Sequence, residues 1–412
     1  MRILIIGEGG RESALATKLH KDSRVTKMFF ANGNATTDAI GKNVHLSEIK
    51  ELRDFAIKEK IDLTIVGPEA PLVAGLKDEF KKHDLKVFGP NQKVASLEGS
   101  KAFSKKFMQT YDIKTAKAVI FDAYNEAKEY IQTQEYPLVI KASGLAGGKG
   151  VVICDTLEEA EATIHDFMIR RIYGDAGIRL VIEEYLQGFE ASIIAFSNGE
   201  QLFPCIPVKD YKKAGDGDKG PNTGGMGSVA PSPEFTKEHY ADFEQHILEP
   251  TITGLKAEGF SFKGIIFFGL MVTKKGTYLL EYNMRFGDPE TQVLMALMEN
   301  NLLDVINDCM NGKEVQLTFK DEKAVCLVMC SGGYPRNIEI GFEIVGEDKV
   351  KHSQLLHAGA IRRGDKVVSN GGRVLNIVAT GETYEDARKK VYEDASHVHF
   401  DYSFYREDIG KF

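Results

Sequence analysis

The first hundred residues alternate short apolar runs with stretches of helical period, and most of these runs end at glycine or at Gly-Pro. The runs are 2–6, 25–31, 63–66 and 86–88, and residues 11–20 show the spacing of a helix. Short apolar strands with helices between them predict a parallel, doubly wound sheet. Because such sheets bind ligands at the carboxyl ends of their strands, we expect functional residues directly after each run.

The rest of the 412 residues predicts further domains, since the chain is too long for a single core. Residues 117–190 read as a compact unit of strands and helices, and the polar stretch 209–227 lacks any periodicity, which predicts a long loop. The other predicted elements are helices at 99–110, 125–134 and 289–309, and strands at 137–141, 264–273, 277–283 and 324–330.

Composition narrows the class of protein. A net charge of −8 argues against a broad basic face for nucleic acid or a membrane surface. The start of the chain, MRILIIGEGG, is too short an apolar run for a signal peptide and reads as a buried strand. We therefore expect a cytoplasmic enzyme. Its cysteines, odd in number and without Cys-x-x-Cys spacing, are expected to be core thiols: Cys154, Cys205, Cys309, Cys326 and Cys330.

A glycine-rich loop with a lysine at each end follows the strand at 137–141. Its sequence from Lys141 to Gly150 is KASGLAGGKG, in which the glycines allow backbone N–H groups to turn towards an anion. Lys149 adds a mobile charge. No Gly-Lys-Ser/Thr closes the loop, so it is not a Walker loop. A lid over nucleotide phosphates is one interpretation, and a glycine-rich hairpin with solvated lysines is the other.

The N-terminal loop GEGGRE resembles a dinucleotide fingerprint but fails it. Glu12 occupies the position of the third glycine, and the second strand ends without an acid for a ribose hydroxyl. We exclude an NAD or FAD site on these grounds. The loop still joins a strand to a helix N-terminus and carries Arg11, which suits a single phosphate group.

The strand at 277–283 alternates polar and apolar residues. Glu281, Asn283 and Arg285 are expected on one face, and Leu280, Tyr282 and Met284 against a core. A carboxylate and an amide oxygen two residues apart suit Mg²⁺, and the guanidinium beside them suits a phosphate or carboxylate. The alternative is a half-exposed strand with ordinary polar residues.

Two further polar clusters are candidates for binding. Glu183 ends a strand whose continuation to Leu186 could present backbone groups to adenine, while Glu190 could accept from ribose hydroxyls. Asp210, among several lysines at the start of the polar stretch, could bind a small zwitterion. A charged strand end and a solvated charge run are the respective alternatives.

In combination these pieces resemble a known family. The order of Lys105, Lys141, the glycine loop, Glu183 to Glu190 and Glu281-x-Asn283 is similar to that of ATP-grasp enzymes. Within that superfamily the chain resembles the phosphoribosylamine–glycine ligases (glycinamide ribonucleotide synthetases) from residue 1 to about 405. The stretches that carry the resemblance are GEGGRE, VGPEAPL, FGP, LEGSKAFSKKFM, KASGLAGGKGV, KDYKKAGDGDKGPNTGGMG, EYNMRFGDPETQ and GGRVLNIVATG.

The resemblance implies a multidomain α/β and α+β fold. It assigns residues 1–102 to a substrate-binding α/β domain with a doubly wound parallel sheet, 103–320 to an ATP-grasp domain whose lid spans about 117–190, and 321–412 to an α+β domain. It also implies ligation of glycine to 5-phosphoribosylamine through glycyl phosphate, with ATP and Mg²⁺ or Mn²⁺, in purine synthesis. The enzyme would be a monomer, with a weak dimer as the alternative.

Roles carried over from the family fall on matching positions. Metal ligands would be Glu281 and Asn283, and the groups acting on the reacting atoms would be Arg285, Lys141 and Asp210. ATP would contact Lys105, Lys141, Ser143, Gly144, Gly147, Gly148, Lys149, Gly150, Glu183, Leu186 and Glu190. The substrates would contact Gly9, Gly10, Arg11, Gly67, Pro68, Glu69, Asp210 and Arg285.

The chain departs from the family pattern at two places, and two alternative functions remain open. Residues 33–36 (GNAT) differ from the family's usual turn, and the strand at 264–273 carries no carboxylate, which leaves Glu281 to bridge two ions alone. Another ATP-grasp ligase, such as a biotin-dependent carboxylase subunit or the carboxyaminoimidazole ligase, differs only in its substrate loops. A non-catalytic nucleotide-binding regulator would bind ATP without turnover.

Overall fold

A computed structural model describes residues 1–412. The N-terminal part of the chain forms a five-stranded parallel sheet in the order β3-β2-β1-β4-β5. The central strand is buried along Ile3–Ile6, as expected when helices cover both faces. The doubly wound prediction is confirmed. The strands are β1 (Arg2–Gly7), β2 (Lys27–Asn32), β3 (Lys42–Val44), β4 (Leu63–Val66) and β5 (Val87–Phe88). The helices are α1 (Gly10–His20), α2 (Ala35–Ile40), α3 (Ile49–Lys58), α4 (Glu69–Val73) and α5 (Leu76–Lys81).

Two helices lead out of this domain into a small antiparallel sheet, the lid sheet, in the order β6-β9-β7-β8. The helix predicted at 99–110 is confirmed over Lys101–Thr110, and it begins there because Ser100 is extended and its side chain accepts from the Phe103 N–H as an N-cap. The elements are α6 (Gln92–Gly99), α7 (Lys101–Thr110), β6 (Ala118–Phe121), α8 (Tyr124–Ile131), β7 (Leu138–Ala142), β8 (Val151–Cys154), α9 (Leu157–Ile164) and β9 (Leu180–Glu184).

The chain continues into a four-stranded antiparallel sheet, the core sheet, in the order β11-β10-β16-β17. Its elements are β10 (Phe189–Asn198), β11 (Leu202–Pro204), β12 (Lys209–Asp210), β13 (Lys213–Gly215), β14 (Lys219–Asn222), β15 (Gly227–Ala230), α10 (Lys237–Phe243), α11 (Glu249–Ala257), β16 (Lys263–Thr273), β17 (Gly276–Asn283), α12 (Glu290–Leu297) and α13 (Leu302–Met310). The prediction of a single helix at 289–309 is wrong, because Met298 is extended and the Asn301 side chain caps a new helix by accepting from the Leu303 and Asp304 N–H groups.

The polar stretch at 209–227 is not the structureless loop that its composition predicts. It contains β12, which pairs with β15, and a hairpin of β13 and β14. The buried guanidinium of Arg406, in the C-terminal tail, donates to the Lys213 carbonyl at 3.0 Å and to Asp218 at 2.8 Å. Partners far along the chain therefore hold this hairpin, and local periodicity could not reveal them.

The C-terminal domain contains a sheet in the order β12-β15-β18-β22-β19. Its strand β18 pairs with β15, which begins where the polar stretch ends, and with β22, which in turn pairs with β19. Its elements are β18 (Lys323–Cys330), β19 (Gln354–His357), β20 (Ala360–Arg363), β21 (Lys366–Ser369), β22 (Arg373–Gly381) and α14 (Tyr384–Ala395). All five cysteines of the chain are free and buried, as predicted. No helix is both long enough and apolar enough to cross a membrane.

The buried apolar side chains form several clusters, which show which parts of the chain pack against one another. One continuous cluster joins Leu15 of the N-terminal domain, Leu294 of α12 and Val328 of β18. The lid sheet has a cluster of its own, which includes Ile140. The lid is thus packed separately from the body of the molecule, and the cleft between the two is where the candidate site lies.

Candidate active site

A cleft of about 280 Å³ separates the lid sheet from the core sheet. Elements from three directions line it, since α6 and α7 form one wall, β7, β9 and the glycine loop form the lid side, and β17 forms the floor. The charged and amide side chains that line it are Glu69, Glu98, Lys101, Lys105, Lys141, Glu183, Glu190, Lys212, Asn222, Glu281, Asn283 and Arg285.

A β-bulge shapes the floor of the cleft. Glu281 pairs with Gly269 while Leu279 pairs with Leu270, so Leu280 is the extra residue on β17. The prediction that Leu280 faces the core is wrong for this reason, because the bulge turns it into the cleft beside Glu281. Tyr282 and Met284 do lie in the core, as predicted.

Glu281 lies in a strongly positive environment. Burial opposes ionisation of its carboxyl group, but Lys212, Lys141, Lys101 and Arg285 outweigh that effect and hold its pKa below the usual range. The carboxylate is therefore charged at neutral pH. A cluster of cations around one half-buried carboxylate is suited to a ligand that carries several negative charges.

The oxygens of Glu281 and Asn283 suit a divalent cation but do not complete its shell. Nowhere in the chain do three or more His, Cys, Asp or Glu side chains converge as a metal site. Mg²⁺ needs about six oxygen ligands and usually takes some from substrate phosphates. The donor set fits an ion that arrives with a nucleotide.

Two predicted ATP lysines share one carboxylate. Glu183 lies 2.9 Å from the Lys105 ammonium and 2.8 Å from the Lys141 ammonium, and all three side chains are buried. Burial opposes the charge on Glu183, but the two lysines hold its pKa below the usual range. The Lys105 ammonium also donates to Thr115 at 2.7 Å, so much of its bonding capacity is used within the protein.

Lys101 is a cleft residue that sequence reasoning missed. It begins α7, burial lowers its pKa, and Glu281 is the carboxylate that most opposes that lowering. Its backbone N–H donates to the Ser143 carbonyl at 2.7 Å, which joins the start of α7 to the start of the glycine loop. Its position one helical turn before Lys105 was the available signal, because residues four apart share a helix face.

The glycine loop connects β7 to β8 and reaches over the cleft. Gly147 and Gly148 have φ values of 56° and 74°, a left-handed conformation that side chains rarely adopt, and both line the cleft. Lys149 is exposed at the tip, and its carbonyl accepts from the Tyr173 hydroxyl at 2.8 Å. The loop is thus a hairpin connection with an open tip. Ser143, Gly144 and Gly150 lie at its two ends.

The residues predicted to contact adenine and ribose line two different cavities. Glu190 lines the cleft and pairs with Lys212. Leu186 lies in the connection between β9 and β10 and lines a different groove, together with Tyr185 and Phe189.

Asp210 carries a carboxylate oxygen that is buried without a hydrogen-bond partner. Burial raises its pKa, against the pull of Lys212. Glu290 is also buried, and burial together with Asp210 raises its pKa to about 7. An unpartnered buried acceptor is costly, so Asp210 indicates a place for a donor or a cation.

Arg285 is held by carboxylates from two other parts of the chain. Its guanidinium lies 3.4 Å from Glu69 of α4 and 3.1 Å from Glu98 of α6, and it also donates to Asn283 at 3.3 Å. Glu98 accepts from the Met284 N–H at 2.7 Å as well, so it fixes both the strand end and the guanidinium. Sequence reasoning missed Glu98, because nothing in its local pattern distinguishes it from a surface helix residue.

The N-terminal loop is packed more tightly than its glycines suggested. Arg11 is buried, its side chain lies 2.5 Å from Glu12, and it donates to the Phe286 carbonyl at 2.9 Å. A Cβ at Gly10 would overlap the amide groups of Asn376 and Gln292, and one at Gly67 would overlap the Glu12 carboxylate, so both glycines have a role in packing.

A second cavity lies beside this loop, at the boundary with the C-terminal domain. Gly9 lines it from the first domain and Arg373 from the last, with Asp288 between them.

Pro68 is the N-cap of α4 and precedes Glu69, whose side chain lines the main cleft.

Comparison with known proteins identifies relatives over the whole chain. Family models described as the N domain, the ATP-grasp (A) domain and the C domain of phosphoribosylglycinamide synthetase match residues 1–98, 99–291 and 324–412. The phosphoribosylamine–glycine ligase of Clostridium acetobutylicum is 48% identical over 415 residues and covers 100% of both chains.

Solved structures agree with these matches. The crystal structure of the phosphoribosylamine–glycine ligase from Thermotoga maritima superposes with a TM-score of 0.87 at 36% identity and covers 99% of this chain and 100% of that one. A biotin carboxylase domain of the Hydrogenobacter thermophilus 2-oxoglutarate carboxylase, solved with MgADP and bicarbonate, reaches a TM-score of 0.77, with coverage of 98% and 91%. Its identity of 14% shows a shared fold alone.

Proposed function

Because the chain belongs to the phosphoribosylglycinamide synthetase family, we propose that the cleft between its lid and core sheets is where ATP activates glycine. The protein is an ATP-dependent carboxylate–amine ligase of purine biosynthesis that joins glycine to 5-phosphoribosylamine. The observation that carries the proposal is the half-buried Glu281 with four cationic side chains around it, those of Lys212, Lys141, Lys101 and Arg285.

The nucleotide phosphates are proposed to lie between β17 and the glycine loop. Lys141 and Lys101 supply charge from the two walls of the cleft, and the backbone of the loop covers the phosphates from above. The loop residues assigned to this role are Ser143, Gly144, Gly147, Gly148, Lys149 and Gly150. Glu190 is assigned to the ribose hydroxyls, and the backbone between Glu183 and Leu186 to adenine.

Glu281 and Asn283 would hold Mg²⁺ or Mn²⁺ together with phosphate oxygens of the nucleotide. When bound, the ion neutralises charge that develops on the transferred phosphoryl group. The protein's own part is to fix two hard oxygens at the end of β17 and to keep Glu281 ionised through its neighbouring cations.

The activation step requires glycine to be held with its carboxylate towards the transferred phosphoryl group. We assign the glycine ammonium to Asp210, whose buried oxygen lacks a partner, and the carboxylate or phosphoryl charge to Arg285. A glycine carboxylate oxygen attacks the terminal phosphorus and ADP leaves, which gives glycyl phosphate. Positioning and charge neutralisation account for catalysis here, and no protein nucleophile is needed.

The second step joins the amine to this acyl phosphate. The ribosylamine nitrogen attacks the glycyl carbonyl carbon, the C–O bond to phosphate breaks, and the nitrogen loses a proton. We assign the ribosylamine to the loops of Gly9, Gly10 and Arg11 and of Gly67, Pro68 and Glu69. Its phosphate is proposed to enter the second cavity, where Arg373 supplies positive charge that the buried Arg11 side chain does not.

A coupled assay of ADP formation, with ribosylamine generated in situ, tests the proposal. We expect ADP only when glycine, ribosylamine and a divalent ion are all present. Turnover that depends on bicarbonate instead of glycine would assign the cleft to a carboxylase, and nucleotide binding without any ADP formation would favour a regulator. Light scattering tests the further expectation of a monomer, and cell fractionation that of a cytoplasmic enzyme.

A further inference from the structure

Two residues of the C-terminal domain hold the backbone of one glycine in the polar stretch. Gly224 lies between β14 and β15, its N–H donates to the Tyr334 hydroxyl at 2.9 Å, and its carbonyl accepts from the Arg373 guanidinium at 2.8 Å. The same guanidinium nitrogen donates to the Asp288 carbonyl at 2.6 Å. A Cβ at Gly224 would lie 3.1 Å from the guanidinium carbon, so the absence of a side chain permits this close approach.

Gly224 lies between the two cavities of the candidate site. Tyr334 and Arg373 both line the second cavity, at the boundary with the C-terminal domain. Asn222 and Thr223, which directly precede Gly224 in the chain, line the main cleft. The backbone of a single residue therefore connects a wall of the main cleft to two side chains of the second cavity.

From Gly224 the polar contacts continue to a cation of the main cleft. The Lys212 carbonyl accepts from the Thr223 N–H at 2.7 Å and from the Thr223 hydroxyl at 2.8 Å. The Lys212 side chain pairs with Glu190, and among the neighbouring cations it contributes most to the lowered pKa of Glu281. The position of this cation therefore depends on the segment that the C-terminal domain holds.

We propose that Tyr334 is a positioning residue for the main cleft, which acts on Lys212 through Gly224 and Thr223. A phosphate that binds the Arg373 guanidinium in the second cavity fixes the same segment, so the two cavities take up their ligands cooperatively. The inference rests on the proposed function, which places the ribosylamine phosphate in the second cavity and the nucleotide in the main cleft. Cooperative binding brings the activated glycine together with the amine that consumes it, which limits hydrolysis of the acyl phosphate.

Equilibrium binding of two stable probes measures this coupling. Ribose 5-phosphate carries the ribose and the phosphate without the reacting amine, and MgADP occupies the nucleotide site. We expect saturating ribose 5-phosphate to tighten the binding of MgADP to the unchanged protein at least about fivefold, and MgADP to tighten the binding of ribose 5-phosphate by the same factor. Absence of any effect of ribose 5-phosphate on MgADP binding would overturn the proposal.

Tyr334→Phe removes the hydroxyl and keeps the ring, which packs against Gly372. We expect the coupling factor of this variant to fall below about twofold, while its affinity for ribose 5-phosphate alone stays within about twofold of the unchanged protein. Tyr402→Phe, at an exposed position of the same domain, is the matched control and should keep the full coupling. Full coupling in Tyr334→Phe would overturn the proposal, and so would a large loss of affinity for ribose 5-phosphate alone, which would make Tyr334 a ligand contact.

A second variant tests the next contact in the series. Thr223→Val removes the hydroxyl that donates to the Lys212 carbonyl and should lower the coupling factor as Tyr334→Phe does. If both act in one series, the double variant should couple no more weakly than either single variant, and additive losses would overturn the series.

These measurements stay distinct from the test of the proposed function, because they need neither glycine nor turnover. If the unchanged protein formed no ADP in the ligase assay, the proposed reaction would fail while the coupling between the two probes still decided the role of Tyr334. Circular dichroism melting of each variant establishes that the binding comparison is made on folded protein.

Discussion

At the scale of single residues, Glu98 is a buried carboxylate on α6, the helix that leads out of the first domain. Its carboxylate is buried between the Met284 N–H and the Arg285 guanidinium. Burial raises its pKa to about 7, although Arg285 and the Met284 N–H both favour the charged form. Folding therefore carries a cost whenever Glu98 is ionised.

We predict that Glu98→Gln changes the pH dependence of stability. A carboxyl group whose pKa rises from 4.5 to about 7 on folding stabilises the folded state below pH 4.5, and that contribution is lost as pH rises through 7. The difference in unfolding free energy between the two proteins should therefore shift by up to about 3 kcal/mol in favour of the glutamine variant over this range.

Urea unfolding at several pH values measures this shift. The exposed lid residue Glu126 offers a control, because Glu126→Gln should leave the pH profile unchanged. A profile for Glu98→Gln that runs parallel to that of the unchanged protein would contradict the role of burial at this position.

A second prediction at this scale concerns the metal ligand. Glu281→Ala should reduce ADP formation by at least about a hundredfold, because it removes the only carboxylate proposed for the ion. Glu299→Ala, at an exposed position after α12, should leave the rate unchanged. Near-normal turnover by Glu281→Ala at any concentration of Mg²⁺ or Mn²⁺ would contradict the assignment.

Single residues also show what sequence could predict and what it could not. The face shared by Glu281, Asn283 and Arg285 followed from a two-residue period, and the structure brings all three into the cleft. Leu280 was predicted wrongly because a bulge depends on the partner strand. Glu98 contacts Met284, 186 positions along the chain, and its neighbour Arg285, and no local pattern contains such partners.

At the scale of elements, the glycine loop is a connection between two lid strands with an open tip. Lys149 lies at this tip and is exposed, and it does not itself line the cleft, although Gly148 and Gly150 on either side of it do. In the proposed function, a closing movement of the lid would bring its charge to the phosphates. The sequence identified the loop, but the position of the tip relative to the cleft depends on how two sheets face each other.

We predict that Lys149→Ala weakens ATP binding with little effect on the chemical step. The Michaelis constant for ATP should rise about fivefold, the value expected for one solvent-exposed charged contact of about 1 kcal/mol. Lys106→Ala is the matched control, because Lys106 is exposed on α7 and does not line the cleft. Unchanged Michaelis constant and turnover in Lys149→Ala would contradict the lid role.

Helix boundaries show the limits of periodicity at this scale. The apolar spacing at 289–309 is continuous, yet one helix ends at Leu297 and Asn301 turns its side chain back to cap a second one. Asparagine is a preferred N-cap, so the signal was present in the sequence. What it lacked was the packing that favours two short helices over one long one.

At the scale of the whole molecule, three domains share one core and the lid stands apart. The common cluster includes Leu15, Leu294 and Val328, which come from the N-terminal, ATP-grasp and C-terminal parts of the chain. Polar contacts reinforce it, since Ser13 and Asn34 both donate to the His357 carbonyl. Strand patterns predicted each sheet separately, but the sharing of a core depends on long-range packing that they do not encode.

This division predicts two levels of stability within one chain. Leu294→Ala opens a cavity in the shared core and should lower the free energy of global unfolding by about 2–5 kcal/mol, with amide exchange faster in β1, β16 and β18 together. Ile140→Ala, an equally buried change in the lid cluster, should speed exchange in β6, β7 and β9 and leave protection of β1 and β18 unchanged. Hydrogen exchange read by mass spectrometry compares the two variants directly. In the proposed function the lid opens for nucleotide to enter, and a core of its own gives that motion a physical basis. Uniform loss of protection in both variants would show that the lid unfolds only with the body.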